Sequence, residues 1–140
     1  MKAAVFLDSN VFLYAAANVE EDAAKKNAAL RLIAETDFGT SVQVLSEFYD
    51  NARRKAKLAI PKATVDEIVS LLKTRPVVEG TSVLFDAARR IAERRQISYY
   101  DAAIVAAAQQ LGARTLYSED LSDGQSYDGV RVVNPFKGLD

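Results

Sequence analysis

Ala3 to Leu7 is an unbroken apolar run that Asp8 ends. Such a run suits a strand buried on both faces, as in a parallel sheet covered by helices, and not a sheet with one wet face. The rest of the chain alternates short apolar segments with longer helical ones. A short helix through Val11-Phe12-Leu13-Tyr14 follows Asp8. Residues 21–34 read as a second helix, with Ala24, Ala28 and Leu32 on one face. Phe38-Gly39-Thr40 is a short strand, and Ser41 caps a helix from Val42 to about Lys57, which Pro61 closes off. Thr64 and Glu67 have capping-box spacing and open a helix from Val65 to Lys73. Pro76-Val77-Val78 is a strand, and Ser82 caps a helix to about Arg95. Ser98 and Asp101 begin another, from Tyr99 to Gln110, which Gly112 ends. Residues 114–117 and 130–133 supply the last strands. The expectation is an α/β fold with a central, mainly parallel sheet and helices on both faces. Ligands in such sheets sit beyond the carboxyl ends of the strands, so polar residues there matter most.

The 140 residues suit one domain spanning 1–140. The opening apolar run is too short for a signal peptide or a membrane span, which points to the cytoplasm. The chain contains no Cys and no His. Disulfides, Cys/His zinc sites, Ser-His-Asp triads, thiol nucleophiles and His-based RNA cleavage are therefore excluded. Carboxylates, Lys, Tyr or a metal must carry any reaction. The formal net charge is −1, so bulk charge does not signal nucleic acid. Two local basic clusters stand out, Arg53-Arg54-Lys55 with Lys57, and Arg89-Arg90 with Arg94-Arg95. Either could hold phosphates, although each alone is more simply a solvated helix face.

Four carboxylates stand where chemistry is expected. Asp8 follows the first strand and Asp120 follows the strand at 114–117. Each alone is equally a cap or loop residue. Glu47 shares a helix face with Val44 and Asn51, at the border of an apolar stripe, where it is either a site residue or a boundary side chain. Asp101 opens a helix that continues Ala102-Ala103-Ile104-Val105-Ala106-Ala107-Ala108. That helix is apolar all round and must be buried on most sides. A charge leading into it is more than a cap requires. Carboxylates that converge repel each other, so their pKa values rise or a cation binds between them. An all-oxygen set suits Mg²⁺ or Mn²⁺.

The segments Phe6-Leu7-Asp8-Ser9-Asn10, Val44-Leu45-Ser46-Glu47-Phe48, Ser98-Tyr99-Tyr100-Asp101-Ala102-Ala103-Ile104 and Tyr117-Ser118-Glu119-Asp120-Leu121 resemble, in order, the four acidic motifs of the PIN-domain family. The size is most similar to the VapC-type toxins of type II toxin–antitoxin pairs. The resemblance implies a PIN-like fold and a Mg²⁺- or Mn²⁺-dependent endoribonuclease. It also implies an RNA substrate, a cognate antitoxin that blocks the enzyme, and a homodimer. Asp8, Glu47, Asp101 and Asp120 would be the catalytic and metal-binding acids, with Ser9 or Asn10 steadying Asp8. Asp123 matches a frequent extra acid, or is a turn residue before Gly124. Arg53, Arg54 and Lys55 are the candidate RNA contacts. Glu119 is expected to point away from Asp120, and Asp86 to pair with Arg90. An antitoxin helix could settle on apolar side chains such as Tyr14, Phe48 or Tyr49. The competing readings are a PIN-fold binding module without activity, a nuclease directed at DNA, and a receiver-like Mg²⁺-binding signalling domain. The last would want adjacent acids near the first strand and a Lys after a late one, and Asp8-Ser9 and Thr115-Leu116-Tyr117-Ser118 supply neither.

Overall fold

In a computed structural model, which describes residues 2–139, the apolar runs pair as one sheet. Its strands are β1 (Val5–Leu7), β2 (Phe38–Ser41), β3 (Val77–Val78), β4 (Thr115–Tyr117), β5 (Ser126–Tyr127) and β6 (Val130–Val133), in the order β3-β2-β1-β4-β6-β5. All neighbours run parallel except β5 and β6. β1 lies between β2 and β4, with Val5 facing both Phe38 and Thr115. Phe6, Leu7, Phe38 and Leu116 are fully buried, as a strand covered on both faces requires.

Helices α1 (Ser9–Ala16), α2 (Ala23–Glu35), α3 (Val42–Arg54), α4 (Lys62–Lys73), α5 (Ser82–Arg95) and α6 (Tyr99–Leu111) flank the sheet. α1 packs on α2, α3 and α4, while α5 packs on α6, and α6 on the sheet. Every residue from Ala102 to Ala108 is buried, as its composition demands. Small side chains let α6 approach β2 so closely that a Cβ on Gly39 would stand 2.7 Å from Leu111 Cδ2 and 2.9 Å from the Pro76 carbonyl oxygen. Gly112 ends α6 at φ 82°, a left-handed conformation that glycine adopts without strain.

Several boundaries differ from the sequence expectation for local reasons. α4 starts at Lys62, directly after Pro61, so Thr64 and Glu67 lie inside the helix and form no capping box. Proline loses nothing at a helix start, where its missing N–H has no partner to serve. Thr81, one residue before Ser82, caps α5 by accepting from the Leu84 N–H at 3.1 Å. α3 ends at Arg54, and a 3-10 turn over Ala56–Leu58 follows. α2 turns Ala29 inward and leaves Ala24 exposed. β5 escaped the sequence reading. Its hairpin turns on Asp128-Gly129, both at positive φ (50° and 96°), the pairing that two-residue hairpins favour. Part of the second basic cluster holds this hairpin. Arg94 pairs with Asp128 at 2.7 Å, and Arg95 donates to the Ser126 carbonyl and covers the Tyr127 ring. Among the described residues, Asp86 and Arg90 form no ion pair.

Candidate active site

Because β1 and β4 are parallel neighbours, Asp8 and the segment after Tyr117 emerge at the same edge of the sheet. Asp8 is the N-cap of α1, and its Oδ1 accepts from the Ser9 N–H at 2.7 Å. Its Oδ2 accepts from the Ser118 hydroxyl at 2.7 Å, across 110 residues of chain. Asp8 is only 4% exposed. Burial, with smaller contributions from the charges of Glu47 and Asp120, raises its carboxyl to about 7 against the two hydrogen bonds. The cap expected of Asp8 and the pocket expected of it are therefore one arrangement.

The other acids are held from several elements. The Ser9 hydroxyl donates to Glu47 Oε1 at 3.3 Å. Gln43, one turn before Glu47 on α3, donates through Nε2 to Glu47 Oε2 and to the Tyr100 carbonyl, both at 3.2 Å. Asn10 Nδ2 donates to Asp120 Oδ2 at 3.2 Å, while Asn10 Oδ1 accepts from the Glu119 N–H. Ser118 Oγ also accepts from the Asp120 N–H at 3.1 Å. Asp8, Glu47 and Asp120 thus share one electrostatic neighbourhood. The start of α6 is tied to it through Gln43, which reaches the carbonyl of Tyr100, the residue before Asp101. Its own N–H donates to the Ser98 hydroxyl at 3.1 Å, so Ser98 caps α6. Among the described residues, no three carboxylates already close around a single point as an ion would require. The donor chemistry nonetheless fits a hard cation. The set is all oxygen, and a buried acid with a raised pKa sits beside two further acids.

Some expected roles shift. Ser9 steadies Asp8 through its backbone and Glu47 through its hydroxyl, whereas Asn10 steadies Asp120 and not Asp8. Asp123 takes the turn role. Its Oδ1 accepts from the Asn134 N–H at 2.8 Å and its Oδ2 meets Lys137 Nζ at 3.2 Å, which lowers its pKa and pins the segment after β6. Glu119 does not turn away from Asp120. Both line a cavity of about 570 Å³, in which Glu119 accepts from the Tyr14 hydroxyl at 2.9 Å and pairs with Lys25 at 3.7 Å. Burial, with this bond second, raises the Tyr14 hydroxyl pKa. Lys55 and Lys57 also line this cavity. Arg53 instead lies on the Tyr49 ring and Arg54 pairs with Asp50, so neither arginine lines it. Phe48 is fully buried and cannot receive a partner helix, while Tyr49 is exposed. Ser118 and Gln43 were not singled out in the sequence. Ser118 follows a strand's carboxyl end, where the sheet rule would have found it, whereas Gln43 carries no signal apart from its distance to Glu47.

The PIN-domain profile matches residues 5–122, from β1 through the last acidic motif. The chain belongs to the PIN-domain family. Among solved structures it is similar in fold to a toxin–antitoxin complex from Klebsiella pneumoniae (17% identity, TM-score 0.66, covering 94% of this chain and 97% of that one). It is also similar to VapC20 of Mycobacterium tuberculosis, a sarcin-ricin loop cleaving toxin (24% identity, TM-score 0.66, covering 83% and 89%). A third likeness is to the DNA-bound VapBC of Salmonella typhimurium (17% identity, TM-score 0.60, covering 94% and 97%). No curated protein sequence matches the chain. Family membership removes the receiver-like alternative.

Proposed function

We propose that the chain is a Mg²⁺- or Mn²⁺-dependent endoribonuclease, the toxin of a toxin–antitoxin pair, acting as a single-domain protein in the cytoplasm and as a homodimer. The observation that carries this reading is Asp8. A carboxyl buried at the end of the central strand, pushed up to about 7 and faced by Glu47 and Asp120, is a poor structural choice unless a cation completes it. Asp8, Glu47, Asp101 and Asp120 would hold the ion. When bound, such an ion polarises a phosphodiester and lowers the pKa of a water molecule. Ser118 and the Ser9 N–H orient Asp8, Asn10 orients Asp120, and the Ser9 hydroxyl orients Glu47. Lys55 and Lys57, which line the same cavity as Asp120, would take RNA phosphates flanking the one cleaved. The structural neighbours include complexes with antitoxins. By analogy, a cognate antitoxin would lay a cation or an amphipathic segment into this cavity and shut it.

The test is incubation with total RNA, with Mg²⁺ and with chelator, followed by mapping of the cleaved ends. Cleavage only with the ion, leaving 5′-phosphate and 3′-hydroxyl ends, is the expected result, because the chain has no His to move protons to and from a 2′-hydroxyl. Primary products bearing 2′,3′-cyclic phosphate would overturn the mechanism. Absence of cleavage on any RNA or DNA, with metal bound, would favour the inactive binding module. Cleavage of DNA alone would favour the DNA-directed alternative.

A further inference from the structure

We propose that Gln43 is a positioning residue that ties Glu47 to the Asp101-bearing start of α6 and thereby sets the affinity of the site for its divalent ion, a proposal that rests on the metal-dependent reading above. Positions 43 and 47 lie one turn apart on α3 and so share a face. The Gln43 amide nitrogen faces two acceptors, the Glu47 carboxylate and the Tyr100 carbonyl, both at 3.2 Å. Neither can donate, so only the NH₂ end of the amide can face them, and its two hydrogens serve one acceptor each. The Tyr100 carbonyl is a firm anchor. It lies in the first turn of α6, which Ser98 caps and which is buried from Ala102 onward. Glu47 is half-buried, and among the described residues its other hydrogen bond is from the Ser9 hydroxyl at 3.3 Å. Gln43 therefore fixes the rotamer of Glu47 against a point beside Asp101. It also links α3 to the first turn of α6, at the residue before Asp101. The carboxylates are not yet closed around one point. An ion that draws them together gains most when Glu47 is already ordered, and loses part of that gain when Glu47 must be ordered on binding.

The experiment is calorimetric titration of the whole protein with Mn²⁺ alone, beside thermal melts in chelator. Four proteins are compared: the parent, Gln43→Met, Gln43→Asn and Gln109→Met. Gln43→Met keeps the length without the donor, and Gln43→Asn keeps the donor without the reach. Gln109 donates to the Tyr127 carbonyl, and its substitution makes the same change away from the site. Both Gln43 variants should bind Mn²⁺ at least about tenfold more weakly, the usual size of an outer-partner loss, while Gln109→Met matches the parent. Melts in chelator identify a variant that fails to fold, and the other Gln43 variant then carries the test. Unchanged Mn²⁺ affinity in a folded Gln43 variant, with the parent binding, overturns the role of Gln43 and leaves the metal reading standing. Failure of the parent to bind Mn²⁺ overturns both.

Discussion

Asp8 caps a helix and faces two other acids with the same carboxylate, and this double duty has a pH signature. Its pKa in the folded chain is about 7, against 3.8 for an ordinary Asp. The folded state therefore keeps a proton that the unfolded state has released. Metal-free stability should fall as pH rises from about 4 to about 7 and level off above that. Chemical denaturation in chelator across this range measures it. Asp8→Asn should flatten the slope, and so should excess Mn²⁺, which binds only the folded, deprotonated site. Asp123 works in the opposite sense. Its lowered pKa contributes stability that is present above the ordinary carboxylate range and lost as pH falls below it. Asp101 separates cap from catalyst. Ser98 already caps α6 with its hydroxyl, so a purely structural Asp101 offers only a charge–dipole term of roughly 0.3–1 kcal/mol. Asp101→Asn should leave the chelator melt within about 1 kcal/mol of the parent. It should also abolish RNA cleavage and reduce the stabilisation that Mn²⁺ gives. Equal Mn²⁺ shifts with activity retained would return Asp101 to a cap.

At the scale of elements, α6 approaches β2 closely at Gly39. Gly39→Ala would place its Cβ against Leu111 and against the Pro76 backbone, and backbone cannot step aside as a side-chain tip can. A loss of about 1–3 kcal/mol in denaturant unfolding is expected, the usual cost of overfilling a close-packed core. A variant as stable as the parent would mean that α6 can shift away from the sheet. The same elements explain what the sequence could disclose. The run from Ala3 to Leu7 and the helix from Ala102 to Ala108 are apolar without relief; the helix is buried throughout, and the run is buried at Ala3, Phe6 and Leu7 while Ala4, ahead of β1, is exposed. Asp8 and Asp101 were visible as acids beside such segments, and Glu47 as an acid at the border of an apolar helix stripe. Three kinds of feature were not legible. The start of α4 depends on Pro61 overriding a good capping box. β5 is two residues long and shows itself only through its turn. Gln43 depends on which helix lies opposite, and no local pattern encodes that.

For the whole molecule, a formal net charge of −1 hides a cavity lined both by acids and by Lys55 and Lys57. RNA affinity should therefore depend on salt through a few local charges. In the double variant Lys55→Ala with Lys57→Ala, the slope of log affinity against log salt should become shallower. On single-stranded RNA the change should be about 0.7 for each phosphate that a lysine no longer neutralises. Arg53→Ala should leave the slope unchanged, because Arg53 is occupied on Tyr49. Filter binding in chelator over a salt series measures both, and an unchanged slope in the double variant would remove the lysines from the RNA path. One last consequence comes from the order of the strands. The bond between Asp8 and Ser118 joins the first and fourth strands, neighbours in the sheet yet 110 residues apart in the chain. Pairings of such long range are slow to form, because a large loop must close before they stabilise anything. During synthesis, Asp8 and Glu47 leave the ribosome early and stay unmatched until the strand that carries Ser118 and Asp120 docks beside them. A chain cut short before that strand holds three of the acids, Asp8, Glu47 and Asp101, and no assembled pocket, so whatever cleaving power the site has is withheld from the nascent protein.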